Sequence, residues 1–167
     1  QRFDDITNKY YKMIFAGPDV PPTIEISGIK MHVTKDSDPA QDTQNKLRTL
    51  KFMGKNVLDT CMGLGYTAIA AAGQPGPDLI YCCERDLNVF QLCRENPWSQ
   101  ILFRSPKIQA VLMPAQDFVG QIEDSYLDTI IHDPPRFSLA PELYTTEFYH
   151  QIYRILKKGG RFYHYTG

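Results

Sequence analysis

The sequence predicts an α/β protein built on a doubly wound, mostly parallel sheet, with an N-terminal helix and β-hairpin ahead of it. Three observations lead there. From Asn56 onward, short apolar runs alternate with segments of helical character. The runs are apolar on both faces, as strands covered on each side by crossover helices must be. Acids and glycines stand directly after several of them, where the ligand crevice of such a sheet opens.

The elements follow in order. Asp4 to Phe15 has Ile6, Tyr10, Met13 and Ile14 at helical spacing, which predicts a short helix, broken by Gly17-Pro18 and Pro21-Pro22. Thr23 to Ile26 and Ile29 to Val33 alternate apolar and polar residues around Ser27-Gly28, a hairpin signature. Asp38 is placed to cap a helix with Pro39 at its first position, running on through Leu47 and Leu50. Val57 to Thr60 reads as the first strand of the main sheet, Tyr66 to Ala72 as an Ala-rich helix, and Leu79 to Cys83 as the second strand. Asp86 to Glu95 is the next helix, followed by strands at Ile108 to Met113, Leu127 to His132 and Arg161 to Tyr165. Phe148, Ile152, Ile155 and Leu156 form an apolar stripe on the helix before the last strand. The expected organisation is residues 1–50 as a helix, hairpin and capping helix packed on the core, and 51–167 as the ligand-binding domain.

Composition narrows the function. The 167 residues hold 18 Lys and Arg against 19 Asp and Glu, a net charge of −1, which argues against a non-specific DNA binder. No window approaches the ~18 apolar residues of a membrane span, so no membrane partner is expected. Gln1-Arg2-Phe3 does not open a signal peptide, and the absence of an initial Met suggests numbering that starts inside a longer protein. The four cysteines (Cys61, Cys82, Cys83 and Cys93) have no CxxC pairing or metal-ligand spacing with the histidines. They read as small buried residues in a reducing, cytoplasmic setting, and no metal is expected.

Four strand ends carry the chemistry. In Val57-Leu58-Asp59-Thr60-Cys61-Met62-Gly63-Leu64-Gly65, an acid ends a strand and a glycine-bearing turn follows; Gly63 and Gly65 permit close backbone approach to a ligand, and Asp59 can accept from a cationic amino group. Glu84 ends the next strand, where a carboxylate can receive both hydroxyls of a ribose or cap a helix. After the third strand, Asp117 can accept from an adenine amino group with Phe118 beside the ring, or serve as a helix N-cap. After the fourth, Asp133-Pro134-Pro135 is a rigid turn whose carbonyls point outward as a cluster of acceptors, able to hold an amine with its lone pair toward an electrophile.

As an ordered set, these residues, with Lys157-Lys158-Gly159-Gly160-Arg161, resemble the class I S-adenosylmethionine-dependent methyltransferases over about Asn56 to Gly167. The stretch His132 to Gly167 looks like a little-characterised archaeal group of them. The resemblance implies a Rossmann-like fold and S-adenosyl-L-methionine as cofactor, bound by Asp59, Thr60, Cys61, Gly63, Gly65, Glu84, Arg85, Asp117, Phe118 and Asp133. It implies methyl transfer by Asp133, Pro134 and Pro135 to an amino-type nucleophile. RNA is the first acceptor expected, with a small amine or protein as alternatives. Arg136 and Phe137 are candidate substrate contacts, Arg136 equally a structural ion pair; Tyr66, Tyr10 and Tyr11 can line the acceptor pocket or pack in the core.

The chain departs from that pattern in places. Cys61 replaces the first glycine of the loop, Arg136 stands where the amino-methylating members carry Tyr or Phe, and no cysteine follows Cys93 to serve carbon methylation. The family's seven-stranded sheet is expected to lack its last two strands here, through truncation, because a sheet ending at the fifth would expose a long apolar edge. The N-terminal hairpin admits a rival: an aminopropyltransferase of the spermidine synthase type, which uses decarboxylated S-adenosylmethionine. Those enzymes carry an acid where Leu64 stands, so the loop favours the carboxylated cofactor. A non-catalytic binding subunit with this fold is the third reading.

Overall fold

The computed structural model describes residues 1–32, 36–50 and 54–166. Four strands, β1 (Arg2–Asp4), β2 (Lys9–Ile14), β3 (Thr23–Ile26) and β4 (Ile29–Lys30), form an antiparallel sheet in that order. Helix α1 (Pro39–Thr49) follows, capped as expected: the Asp38 carboxylate accepts from the Ala40 and Gln41 amides, with Pro39 at the start. The second sheet contains β5 (Asn56–Asp59), β6 (Leu79–Glu84), β7 (Ile108–Leu112), β8 (Leu127–His132) and β9 (Leu156–His164) in the order β7-β6-β5-β8-β9. All its pairings are parallel. Helices α2 (Tyr66–Ala72), α3 (Leu87–Glu95), α4 (Gln100–Arg104), α5 (Ala115–Val119) and α6 (Thr146–Ile155) connect the strands. This is the doubly wound α/β fold that the alternating pattern predicts.

Adjacent residues on the central strands enter different cores, as a period of two demands. Val57, Ile131 and Cys82 join one buried cluster, and Leu58, Ile130 and Cys83 the other. Both faces are therefore covered, and only the strand ends can present polar groups. The strand order reverses between β5 and β8, so the crevice opens beyond Asp59 and His132.

Three expectations are corrected. The helix over Asp4 to Phe15 is instead the β1–β2 hairpin, with Phe3 opposite Tyr10. The Asp4 carboxylate accepts from the Ile6 and Thr7 amides, and Asn8 adopts a φ of 53°, so local turn chemistry overrides the helical spacing. Ile6, expected on the helix's apolar face, is 95% exposed. The last strand begins five residues early: Lys157 to Gly160 lie within β9, where the pairing register shifts between Leu127 and Thr129, and Leu156 belongs to this strand rather than to α6. In α5, Pro114 occupies the N-cap position and Asp117 the first turn, because the chain enters the helix at Ala115; the capping alternative for Asp117 is set aside. The hairpin at Ser27-Gly28 is present, and its expected end at Val33 lies outside the described residues.

Candidate functional site

Three carboxylates stand at the ends of adjacent strands. Asp59 closes β5 and is fully buried; its Oδ1 accepts from the Cys61 amide at 3.2 Å, and its Oδ2 accepts from the Thr67 hydroxyl. Burial pushes its pKa up to about 6, against the pull of those two donors. Glu84 closes β6, and its Oε2 accepts from the Gly63 amide at 3.1 Å while its Oε1 accepts from the Asp86 amide at 2.8 Å. Its side chain is densely enclosed, and burial pushes its pKa up to about 7. Asp133 follows β8, and its Oδ2 receives the Lys46 ammonium at 2.6 Å. Pro134 is buried behind it, whereas Pro135, Arg136 and Phe137 are exposed.

The glycine turn between β5 and α2 is closely packed at both glycines. Gly63 and Gly65 have φ of 53° and 77°, the left-handed region that side chains disfavour. A Cβ on Gly63 would stand 2.6 Å from the Met31 sulfur, and one on Gly65 would stand 2.7 Å from a Leu102 methyl. The Leu64 carbonyl accepts from the Ser99 hydroxyl at 2.7 Å. Asn96 in turn donates to Ser99 and to the Tyr66 hydroxyl, which donates to the Pro22 carbonyl at 2.8 Å. This buried network joins the turn to the N-terminal sheet. It also places Tyr66 in the core, where Tyr11 lies fully buried as well, its hydroxyl on Asp86. Tyr10 is 39% exposed.

The remaining candidates are dispersed. Thr60 is buried and hydrogen-bonded at 2.7 Å to Nδ1 of His132. Cys61 is partly exposed, and burial and then the nearby carboxylates push its thiol well above the ordinary range, so it stays protonated. Arg85 is exposed and paired with Glu142. Asp117 is exposed on α5, whereas Phe118 is buried against Tyr81, ring centres 5.4 Å apart. Phe137 is exposed and meets Tyr144 edge-on at 5.6 Å.

Four residues escaped the reading of the sequence. His132 is fully buried; its Nε2 lies 3.1 Å from the Leu143 carbonyl, so the network assigns the proton to Nε2 and leaves Nδ1 to accept from Thr60. Burial holds its pKa down at about 4, so it stays neutral, clamping the ends of β5 and β8 together. Its position directly before Asp133 was the one available signal. Lys46 and Asp42, an i,i+4 pair on α1, bring a salt bridge to Asp133 from 87 residues away. Met31 covers the glycine turn. Among the described residues, no group of three or more His, Cys, Asp or Glu is arranged to hold a metal ion, and no helix is long and apolar enough to cross a membrane.

The residues present fit an adenosyl sulfonium donor: a glycine turn, a carboxylate with two oxygens at the second strand end, and further acids at the first and fourth. Comparison with known proteins gives the fold and the family. The chain is 50% identical over 161 residues to an uncharacterized protein of Methanocaldococcus jannaschii, a match covering 96% of this chain and 54% of that protein. It thus spans about half the length of that relative. Its fold superposes on a spermidine synthase crystallised with the transition state analogue AdoDATO with a TM-score of 0.76, at 23% identity over 93% of this chain and 53% of that one. Spermidine synthase from Thermotoga maritima gives a TM-score of 0.69, at 21% identity over 93% of this chain and 51% of that one. A Methanococcus maripaludis protein described as an S-adenosyl-L-methionine-dependent methyltransferase gives 0.53, at 24% identity over 75% of this chain and 53% of that one. These structural likenesses establish the shared fold. Residues 75–166, more than half of the chain, match the family model of the spermine/spermidine synthase domain, and the chain belongs to that family.

Proposed function

We propose that the protein transfers a methyl group from S-adenosyl-L-methionine to an amine held at the Asp133-Pro134-Pro135 turn. The observation that carries the choice of donor is Leu64, fully buried in the glycine turn at the position where an acid would repel the donor's carboxylate. When bound, the donor supplies an electrophilic carbon on a sulfonium. The chain supplies the rest. Glu84 receives the ribose hydroxyls, giving up its bond to the Gly63 amide, and Asp59 receives the donor's amino group. Thr60, Cys61, Gly63, Gly65, Arg85, Asp117 and Phe118 belong to this binding set in the same reading. Asp133, with the Pro134 and Pro135 carbonyls, orients the acceptor amine and takes its proton as the new bond forms. Holding the amine in line with the electrophilic carbon is worth up to roughly 7–11 kcal/mol. Residues 1–50 act as a cover and 51–167 as the donor-binding domain. Arg136 suits a phosphate or carboxylate of the acceptor, and RNA stands first among acceptors, ahead of a small amine or a protein.

A second reading, aminopropyl transfer from decarboxylated S-adenosylmethionine, is favoured by the antiparallel sheet preceding the parallel one and by the family match. Calorimetric titration with S-adenosylhomocysteine, repeated in the presence of its decarboxylated counterpart, decides between them. Tight binding that the decarboxylated compound does not displace supports methyl transfer; preference for the decarboxylated compound overturns it. Tritium transfer from labelled donor into total RNA, polyamines or protein then identifies the acceptor. A full-length chain that binds neither compound serves as a non-catalytic subunit.

A further inference from the structure

Helix α1 drives one cation into a crevice otherwise lined with acids. Lys46 Nζ lies 2.6 Å from Asp133 and 2.7 Å from Asp42, and its side chain is only 11% exposed. Burial alone would lower its pKa, but Asp133 and Asp42 outweigh that and hold it above the ordinary lysine value, so it carries its charge permanently. Asp59, fully buried on the neighbouring strand, lies within electrostatic reach of both Asp133 and Lys46.

From this placement we propose that Lys46 is the residue that selects a carboxylated donor, by receiving the donor's α-carboxylate. The proposal rests on the reading of the crevice as an adenosyl donor site and deepens it. The α-amino and α-carboxylate groups of such a donor share one carbon. An amino group received by Asp59 therefore puts the carboxylate beside whatever flanks Asp59 on the β8 side, and that flank holds the Lys46–Asp133 pair. A decarboxylated donor presents an ammonium and a sulfonium but nothing negative to Lys46, so the same ammonium that attracts one donor repels the other. Asp42 and Asp133 hold the lysine head in place before the donor arrives.

The test uses wild type, Lys46→Gln, Lys46→Arg and Asp42→Asn, each titrated calorimetrically with S-adenosylhomocysteine and with 5′-deoxy-5′-(3-aminopropylthio)adenosine, its decarboxylated counterpart. Wild type is expected to prefer the carboxylated ligand. Lys46→Gln reduces that preference by about tenfold, the order expected for one hydrogen bond to a charged group, through weaker binding of the carboxylated ligand with no weakening of the other. Lys46→Arg keeps most of the preference. Asp42→Asn, which leaves the ammonium and removes a competing carboxylate, increases it and keeps the proposal testable if both lysine variants unfold. Equal weakening of both ligands by Lys46→Gln, or an unchanged ratio in Lys46→Gln or Asp42→Asn, overturns the selection role while leaving the donor site standing. Failure of wild type to bind either ligand removes the donor reading and this proposal together, and a wild-type preference for the decarboxylated ligand overturns the selection outright.

Discussion

Ile130 and Ile29 are the same residue type on strands of the two sheets, and their surroundings could hardly differ more: Ile130 is fully buried and Ile29 is 47% exposed. The inner strands β5, β6 and β8 of the parallel sheet have no exposed residue, whereas the edge strands β7 and β9 do, so the inner strands offer polar groups to the crevice at their carboxyl ends. That is why Asp59, Glu84 and Asp133 converge on one crevice. The antiparallel sheet and α1 are partly open, and the N-terminal region meets the strand ends from the side, through Met31 at the glycine turn and Lys46 at Asp133. One region carries the strand-end acids and the other packs beside them. The division of labour follows from burial: a doubly covered strand has no sideways reach.

That contrast can be broken at several points. The largest effect is expected at Asp133, where Asp133→Asn should lower transfer from labelled donor by about 10²–10⁴-fold, the range of a lost general base; Phe15→Ala, on an exposed residue next to the antiparallel sheet, should leave it unchanged. Next comes packing. Ile130→Ala or Leu58→Ala should cost about 2–5 kcal/mol in chemical denaturation, whereas Ile29→Ala should cost under ~0.5 kcal/mol. Equal losses at Ile130 and Ile29 would erase the distinction between the two sheets.

The acids themselves sharpen the comparison through pH. Glu84 has a folded pKa of about 7 against an ordinary 4.5, so the folded chain binds an extra proton between those values and stability falls as pH rises through that interval. Thermal unfolding of wild type should show this decline, and Glu84→Gln should flatten it. Affinity for S-adenosylhomocysteine runs the other way, because ribose hydroxyls donate to the ionised carboxylate. It should weaken by up to about tenfold per pH unit below 7 and lose its pH dependence in Glu84→Gln apart from a residual contribution of Asp59, whose pKa is about 6. A small effect belongs to the seam between the regions: Tyr11 donates to Asp86 at 2.6 Å, and Tyr11→Phe should cost about 1 kcal/mol, seen as faster amide exchange in Lys9–Ile14 with the parallel strands unchanged.

Legibility in the sequence tracks the same divide. The first four strands of the parallel sheet, β5 to β8, are apolar-rich runs each followed by a helix, because burial imposes hydrophobicity, whereas β9 carries Lys157-Lys158-Gly159-Gly160-Arg161 and its start is hidden by them; the capping pair Asp38-Pro39 announces α1 with its neighbours alone. The Asp4 to Phe15 segment misled because a half-exposed strand tolerates any polar pattern, and its apolar residues fell by chance at helical spacing. The Asp4–Asn8 turn was the better signal. Of the candidate site, the strand-end acids are local and readable. The Lys46–Asp133 contact spans 87 residues and leaves no trace in local spacing, and the role of His132 depends on a partner, Thr60, on a different strand.

The strand order carries a consequence in time. β5 is the first strand of the parallel sheet to leave the ribosome, yet it ends at the centre, with Asp59 paired on one side to Cys82 and on the other to Ile131. Until β8 has been made, one edge of β5 has no partner, and Lys46, already synthesised, has no Asp133 to meet. Such sequence-distant pairings slow the search for the native state. The crevice therefore cannot be completed before β8 and Asp133 have been made, and a nascent chain halted before β8 carries the glycine turn without the site it serves.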